Sequence, residues 1–384
     1  MPSESANPAR LKLALELYGI APSAGGHSAP TVEVLIDDDV WARARINSSS
    51  PLAIVQSPSV IRGGSTEIAV RFAQSPPFGA RRNARGIELG AIAAMHSTWV
   101  TVALGGGCGI GAAGKTCALC QGRELTEHAG EVWPADEVVE AVRGAFDDGD
   151  AEFVQFVLGY FPGTDAGFAI LRPYLEAIHR YFDTIVAVTM HPPADLRAID
   201  LAYAEGVDVI CFNLEAPSEA AMLRYFPGRA RFYGRERYLK ALRHAAKIFP
   251  SGAVWSDLLI DLAPQAALQA TAMELIAAGV MPTFGTLAPR DADEHSLDDA
   301  VALCAASFEA ATRAGLSLNW MRDISSSLTP LDARYLVSDA PQLQSLIHQL
   351  SRNRLGALAT RSLARLRRRL RVRRVRASFD SSHL

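Results

Sequence analysis

Cys108, Cys117 and Cys120 lie in one glycine-rich stretch, Gly105 to Gly122, with glycines at 105, 106, 107, 109, 111 and 114 around the first of them. Three thiolates in one loop match a 4Fe-4S cube held at three irons, the fourth iron being left to another ligand. Closed electron-transfer clusters normally take four cysteines. The glycines let the backbone fold closely round a compact inorganic body. Lys115 and the loop amides can offset the negative charge of such a cluster and hydrogen-bond its sulfurs. Two other chemistries use the Cys117-x-x-Cys120 pair. A zinc site needs a fourth protein ligand, for which His128 or Cys211 is available. A redox dithiol leaves Cys108 without a role, and its pair normally caps a helix.

The elements around this loop read as alternating strand and helix. The loop directly follows the apolar, β-branched run Trp99–Leu104. Further strands are expected at 153–158, 184–189, 207–213, 254–260, 281–286 and 316–320. Helices are expected at 135–146, 170–182, 195–204, 237–248, 267–278 and 297–314. Such a rhythm argues for an α/β protein built of βαβ crossovers on a parallel sheet, as a full or partial (β/α) TIM-type barrel with function at the strand ends. A flat doubly wound sheet has the same periodicity. Residues 1–94 read as a lead-in module with a short helix near 10–17 and strands such as 31–36 and 67–72. Residues 95–330 read as the barrel, and 331–384 as a C-terminal extension.

That extension holds the charge asymmetry of the chain. Eleven arginines and no acid fall between Arg352 and Arg376, so without them the formal charge would drop from −3 to −14. Leu355, Leu358, Leu363, Leu366 and Leu370 roughly follow helical spacing, which makes the tail a basic amphipathic helix suited to an anionic surface of lipid or nucleic acid. No aromatic residues interleave with the arginines as in stacking RNA platforms. Apolar residues make up 49% of the 384, too many for a disordered chain. No run approaches a membrane span and no secretory signal is visible, so reduced thiols and a cytoplasmic location are expected.

The cysteine loop after the first barrel strand resembles that of the radical S-adenosylmethionine (SAM) superfamily. Its eight-residue first gap departs from the common three-then-two spacing. Lys115-Thr-Cys-Ala-Leu-Cys120, Gly206–Ala216, Pro227-Gly228 and Arg237–Leu242 are similar to the biotin synthase-like branch, in particular a subgroup often encoded beside nitrilases. The resemblance implies a 4Fe-4S cluster on the three cysteines, SAM cleaved to a 5′-deoxyadenosyl radical, hydrogen abstraction from a small organic substrate, and an electron donor such as flavodoxin or ferredoxin. It also implies SAM contacts. Gly159 and Tyr160 stand where many members carry a Gly-Gly-Glu turn, Asn213 and Glu215 end the fourth strand, and Arg235, with Arg231 as its rival, is placed to pair with the SAM carboxylate. His191, Thr286 and Arg290 follow strand ends and are candidates to line the pocket, whereas Cys211 reads as a buried hydrophobe. Two other functions fit the same features: a tRNA-modifying radical SAM enzyme anchored by the arginine tail, and a zinc-stabilised binding protein.

Overall fold

The computed structural model describes residues 7–22, 30–55, 59–64, 66–104, 110, 117–118, 132–148, 151–289, 294–337, 362 and 366. Helix α1 (Pro8–Tyr18) starts on Asn7, whose side chain accepts hydrogen bonds from the amides of Ala9 and Arg10. Pro8 takes the first-turn position, where no amide partner is required. Strands β1 (Thr31–Ile36), β2 (Val40–Arg45), β3 (Leu52–Val55), β4 (Val60–Gly63) and β5 (Thr66–Phe72) form a five-stranded antiparallel sheet in the order β2-β1-β5-β4-β3. In β2 the alternation is strict, with Val40, Ala42 and Ala44 inward and Trp41, Arg43 and Arg45 less buried. Val32, Val34 and Ile36 join those three and Leu11 and Leu15 of α1 in one core.

The chain continues through α2 (Leu89–Ile92), β6 (Ala93–His96), β7 (Trp99–Leu104), α3 (Ala135–Asp148), β8 (Phe153–Leu158), α4 (Phe168–Tyr181), β9 (Ile185–Thr189), α5 (Arg197–Ala204) and β10 (Val209–Cys211). It then runs through α6 (Glu219–Tyr225), α7 (Pro227–Phe232), α8 (Gly234–Ile248), β11 (Val254–Leu259), α9 (Gln265–Ala277), β12 (Met281–Gly285) and α10 (Glu294–Arg313). Its second sheet has seven strands in the order β12-β11-β10-β9-β8-β7-β6. Strands β7 to β11 pair in parallel, and β6 runs antiparallel at the edge. Successive parallel strands therefore lie side by side with a helix between them. That order is compatible with a partial (β/α) barrel, whereas a doubly wound sheet reverses direction at a switch point.

By Cα packing the described residues fall into two compact units. The first is drawn from Met1–Ser75, Leu214–Ala221 and Ser256–Ala340, the second from Pro76–Asn213, Met222–Trp255 and Pro341–Leu384. In the second unit the two sheet faces differ. Val100, Val102 and Leu104 of β7 and Val154, Phe156 and Leu158 of β8 are buried, while Thr101 and Gln155 on the other face are half-buried. A polar chain crosses that face: Gln155 donates to Thr189 Oγ1 at 3.1 Å, and Thr101 donates to Gln155 at 3.4 Å.

One expected strand is absent. Residues 316–320 instead lead into a 3-10 turn, Leu318–Met321, after Gly315 has closed α10 with a φ of 67°. Leu318 and Met321 are the buried pair there, a three-residue spacing that a strand would place on opposite faces. The arginine tail lies outside the described residues, apart from Ser362 and Leu366.

Candidate functional site

The C-terminal ends of β7, β8, β9 and β10 carry the residues of interest in the second unit. The amide of Gly159, just beyond β8, donates to the Leu104 carbonyl at the end of β7 at 3.0 Å, and that of Met190, beyond β9, to the Cys211 carbonyl at 3.1 Å. These bonds hold the strand ends in register. Beyond Leu104 in the chain, Ile110 is buried and so is the Cys117 side chain. Cys108, Cys120 and the candidate zinc ligand His128 lie outside the described residues. Among the described residues no group of three His, Cys, Asp or Glu side chains could hold a metal ion. A thiol donor sheltered from water fits the soft-donor chemistry of iron–sulfur ligation.

Behind those strand ends stands a cluster of aromatic rings and guanidinium groups. His191, fixed between Met190 and the rigid Pro192-Pro193, stacks on Tyr233 with ring centroids 4.7 Å apart and planes 16° from parallel. Its Nδ1 lies 3.0 Å from the Tyr238 hydroxyl. Tyr160 meets Phe232 at 5.6 Å and Tyr233 at 6.4 Å, and Tyr233 meets Tyr238 edge-on at 6.0 Å. The Arg237 guanidinium lies over the Tyr233 ring, 4.9 Å from its centroid. Arg229 covers Phe226 at 5.3 Å and reaches the Asn213 carbonyl at 3.5 Å. The His191 pKa is lowered to about 3, first by burial and then by the positive charges of Arg229 and Arg237. The ring is therefore neutral at any ordinary pH, and can offer one donor and one acceptor nitrogen without carrying charge.

The sequence resemblance names Arg235 and Arg231 as candidates for the SAM carboxylate; the arginines whose charges act on His191 are Arg229 and Arg237. Helix geometry gives the reason. Arg229 lies in α7 and Arg237 in α8, on either side of the break at Tyr233, whereas Arg235 is two residues from Arg237 and about 200° round α8 from it. The signal was present as Arg229-x-x-x-Tyr233-x-x-x-Arg237, but its phase depends on how the chain passes Tyr233 between α7 and α8.

Glu215 belongs to the first unit. It takes a left-handed φ of 60°, donates its amide to the Asp257 carbonyl at 2.7 Å and accepts from the Leu259 amide at 2.9 Å. The Asp257 carboxyl of β11 is pushed well above its ordinary range, chiefly by burial, with Glu215 and Glu16 adding repulsion. Burial also raises the pKa of Glu16, against the pull of Arg45 and the hydrogen bonds of Thr286. Thr286 is tied to α1 by those bonds, its amide donating to the Glu16 carboxylate at 2.9 Å. Arg290 lies outside the described residues. Cys211 is buried within β10, and burial pushes the Cys304 thiol well up.

The fold and this site define a mixed α/β protein with a largely parallel sheet and a cationic, aromatic cluster at its strand ends. No family model matches the chain, and no curated protein matches it. Two solved structures are similar in part. The FeFe-hydrogenase maturase HydG from Carboxydothermus hydrogenoformans aligns at 17% identity and a TM-score of 0.42, over 55% of this chain and 52% of that one. The present chain thus spans about half the length of that maturase. A dihydropteroate synthase from Coxiella burnetii, solved with pteroic acid, aligns at 13% identity and a TM-score of 0.29, over 66% of this chain and 94% of that one.

Proposed function

We propose that the chain is a radical SAM enzyme of the biotin synthase-like branch, acting on a small organic substrate. The observation that carries this reading is the cysteine loop of residues 108–120, which leaves the C-terminal end of β7, the first strand of the parallel run, with Cys117 buried. In this reading Cys108, Cys117 and Cys120 hold a 4Fe-4S cluster whose open iron takes SAM, and together these supply a reducing electron and a 5′-deoxyadenosyl radical for hydrogen abstraction. The chain's own residues bind and orient. Gly159, Tyr160 and Asn213 are the candidate SAM contacts at the strand ends, and Arg235 and Glu215, like them, are assigned by resemblance. The Tyr160, Tyr233 and Tyr238 rings pack against one another at the strand ends, and neutral His191 holds its proton on one ring nitrogen. A flavodoxin or ferredoxin serves as electron donor in a cytoplasmic setting, and the arginine tail meets an anionic surface. Residues 1–94, 95–330 and 331–384 form its lead-in, barrel and extension. No described helix is long and apolar enough to cross a membrane.

The test is anaerobic reconstitution of the full chain and of Cys108→Ala, Cys117→Ala and Cys120→Ala. The reading expects about four irons per chain, lost or sharply reduced in each variant, and SAM cleavage abolished in all three. SAM cleavage retained in any well-folded variant, or zinc bound in place of iron, would overturn it.

A further inference from the structure

We propose that the cluster of His191, Arg229 and Arg237 is an oxyanion-binding subsite, and that the substrate carries a carboxylate or a phosphate that seats there. The word substrate rests on the radical SAM reading; the anion subsite itself does not. Arg237 has no ion-pair partner among the described residues, and its buried Nε finds no acceptor. Removing a guanidinium from water is expensive, and a partly buried one normally has a carboxylate beside it. Here the neighbours are the Tyr233 ring at 4.9 Å, a neutral imidazole, and a second guanidinium close enough to act on the same imidazole.

The Arg237 guanidinium carbon lies over the Tyr233 ring, 4.9 Å from its centroid. A guanidinium's N–H donors lie in its plane, the geometry that grips a carboxylate or phosphate with two parallel bonds, and the Arg237 Nε donor has no acceptor among the described residues. The two arginines lie eight residues apart on one four-residue repeat, with Tyr233 midway between them. His191 completes the set. His191 Nδ1 and the Tyr238 hydroxyl lie 3.0 Å apart, and in the tautomer whose Nδ1 accepts from that hydroxyl, Nε2–H is left as a third donor. Tyr238 is buried and His191 partly so, and the lower dielectric there strengthens the attraction between an anion and two cations.

The experiment titrates the full-length protein with inorganic phosphate and, separately, with acetate. Binding is read by calorimetry, and the His191 ring by NMR. Neither readout needs a cluster. Saturable binding of at least one anion is expected, weakened about tenfold or more in Arg229→Gln and in Arg237→Gln. It should be unchanged in Arg243→Gln, whose guanidinium pairs with exposed Glu236 on the same helix. Bound anion should also move the His191 titration upward, since it offsets the two positive charges. Preference for acetate marks a carboxylate substrate and preference for phosphate a phosphorylated one. The inference is overturned if neither anion binds, if both arginine variants bind as wild type, or if SAM displaces the anion and so claims the subsite for itself. Iron content and SAM cleavage are measured independently, so the anion subsite can fail while the radical SAM reading stands, and the reverse.

Discussion

Lowering the pH from 8 to 5 should destabilise the folded chain by about 2 kcal/mol through His191 alone. Its folded pKa is about 3, set by burial and by Arg229 and Arg237, and an unfolded histidine titrates near 6.5. Above pH 6.5 the ring is neutral in both states and pH has no effect through it. As the pH falls below 6.5 the unfolded chain takes up a proton that the folded chain refuses until about pH 3, so stability is lost across that window. At pH 5 the unfolded ring is favoured by about a factor of 30, which at 1.4 kcal/mol per tenfold is the 2 kcal/mol stated. Urea unfolding at the two pH values, in wild type and in His191→Gln, isolates the effect, because every other titrating group is common to both proteins. Wild type should lose about 2 kcal/mol more than the variant, and the His191 ring should show no titration above pH 5 by NMR. An equal loss in both proteins, or a His191 pKa near 6.5, would refute the reasoning and with it the claim that two guanidiniums crowd this ring.

Two further predictions concern the scaffold. Gly206 has a φ of 108°, and a Cβ there would lie 2.2 Å from His179 Nε2, so Gly206→Ala should lower stability by about 2–4 kcal/mol; a thermal midpoint unchanged from wild type would contradict this. Lys12 is buried in α1 and pairs with Asp332 at 2.8 Å. Lys12→Met should therefore lose about 3–5 kcal/mol, with part of it recovered by adding Asp332→Asn, both read by urea unfolding; a loss below about 1 kcal/mol would show that the pair is dispensable.

The elements most legible in the sequence were those whose own composition decides them. Thr31–Ile36, Trp99–Leu104 and Phe153–Leu158 are β-branched, apolar runs with clear boundaries, and the structure gives each those limits. The helix Ala135–Asp148 runs two residues beyond its expected end. Val40–Arg45 was harder to read, because its buried face is one valine and two alanines between a tryptophan and two arginines. Residues 316–320 alternate in polarity like a strand, but the packing of Leu318 and Met321 decides them as a tight turn. At the site, His191 could be named from its place after a strand. The arginines beside it could not, since which side chains of α7 and α8 reach it depends on how the chain turns at Tyr233. The setting of Glu215 was illegible for another reason. Its backbone pairs with Asp257 and Leu259, a contact across some forty residues that nothing in its neighbourhood announces.

The central claim is an open iron held by the three cysteines. Electron paramagnetic resonance on the anaerobically reconstituted, dithionite-reduced chain, with and without SAM, addresses it most directly. The account predicts a reduced 4Fe-4S signal that changes shape when SAM is added and disappears in Cys117→Ala. A preparation with no such signal and one zinc per chain would contradict it, and would leave a metal-stabilised binding protein in its place.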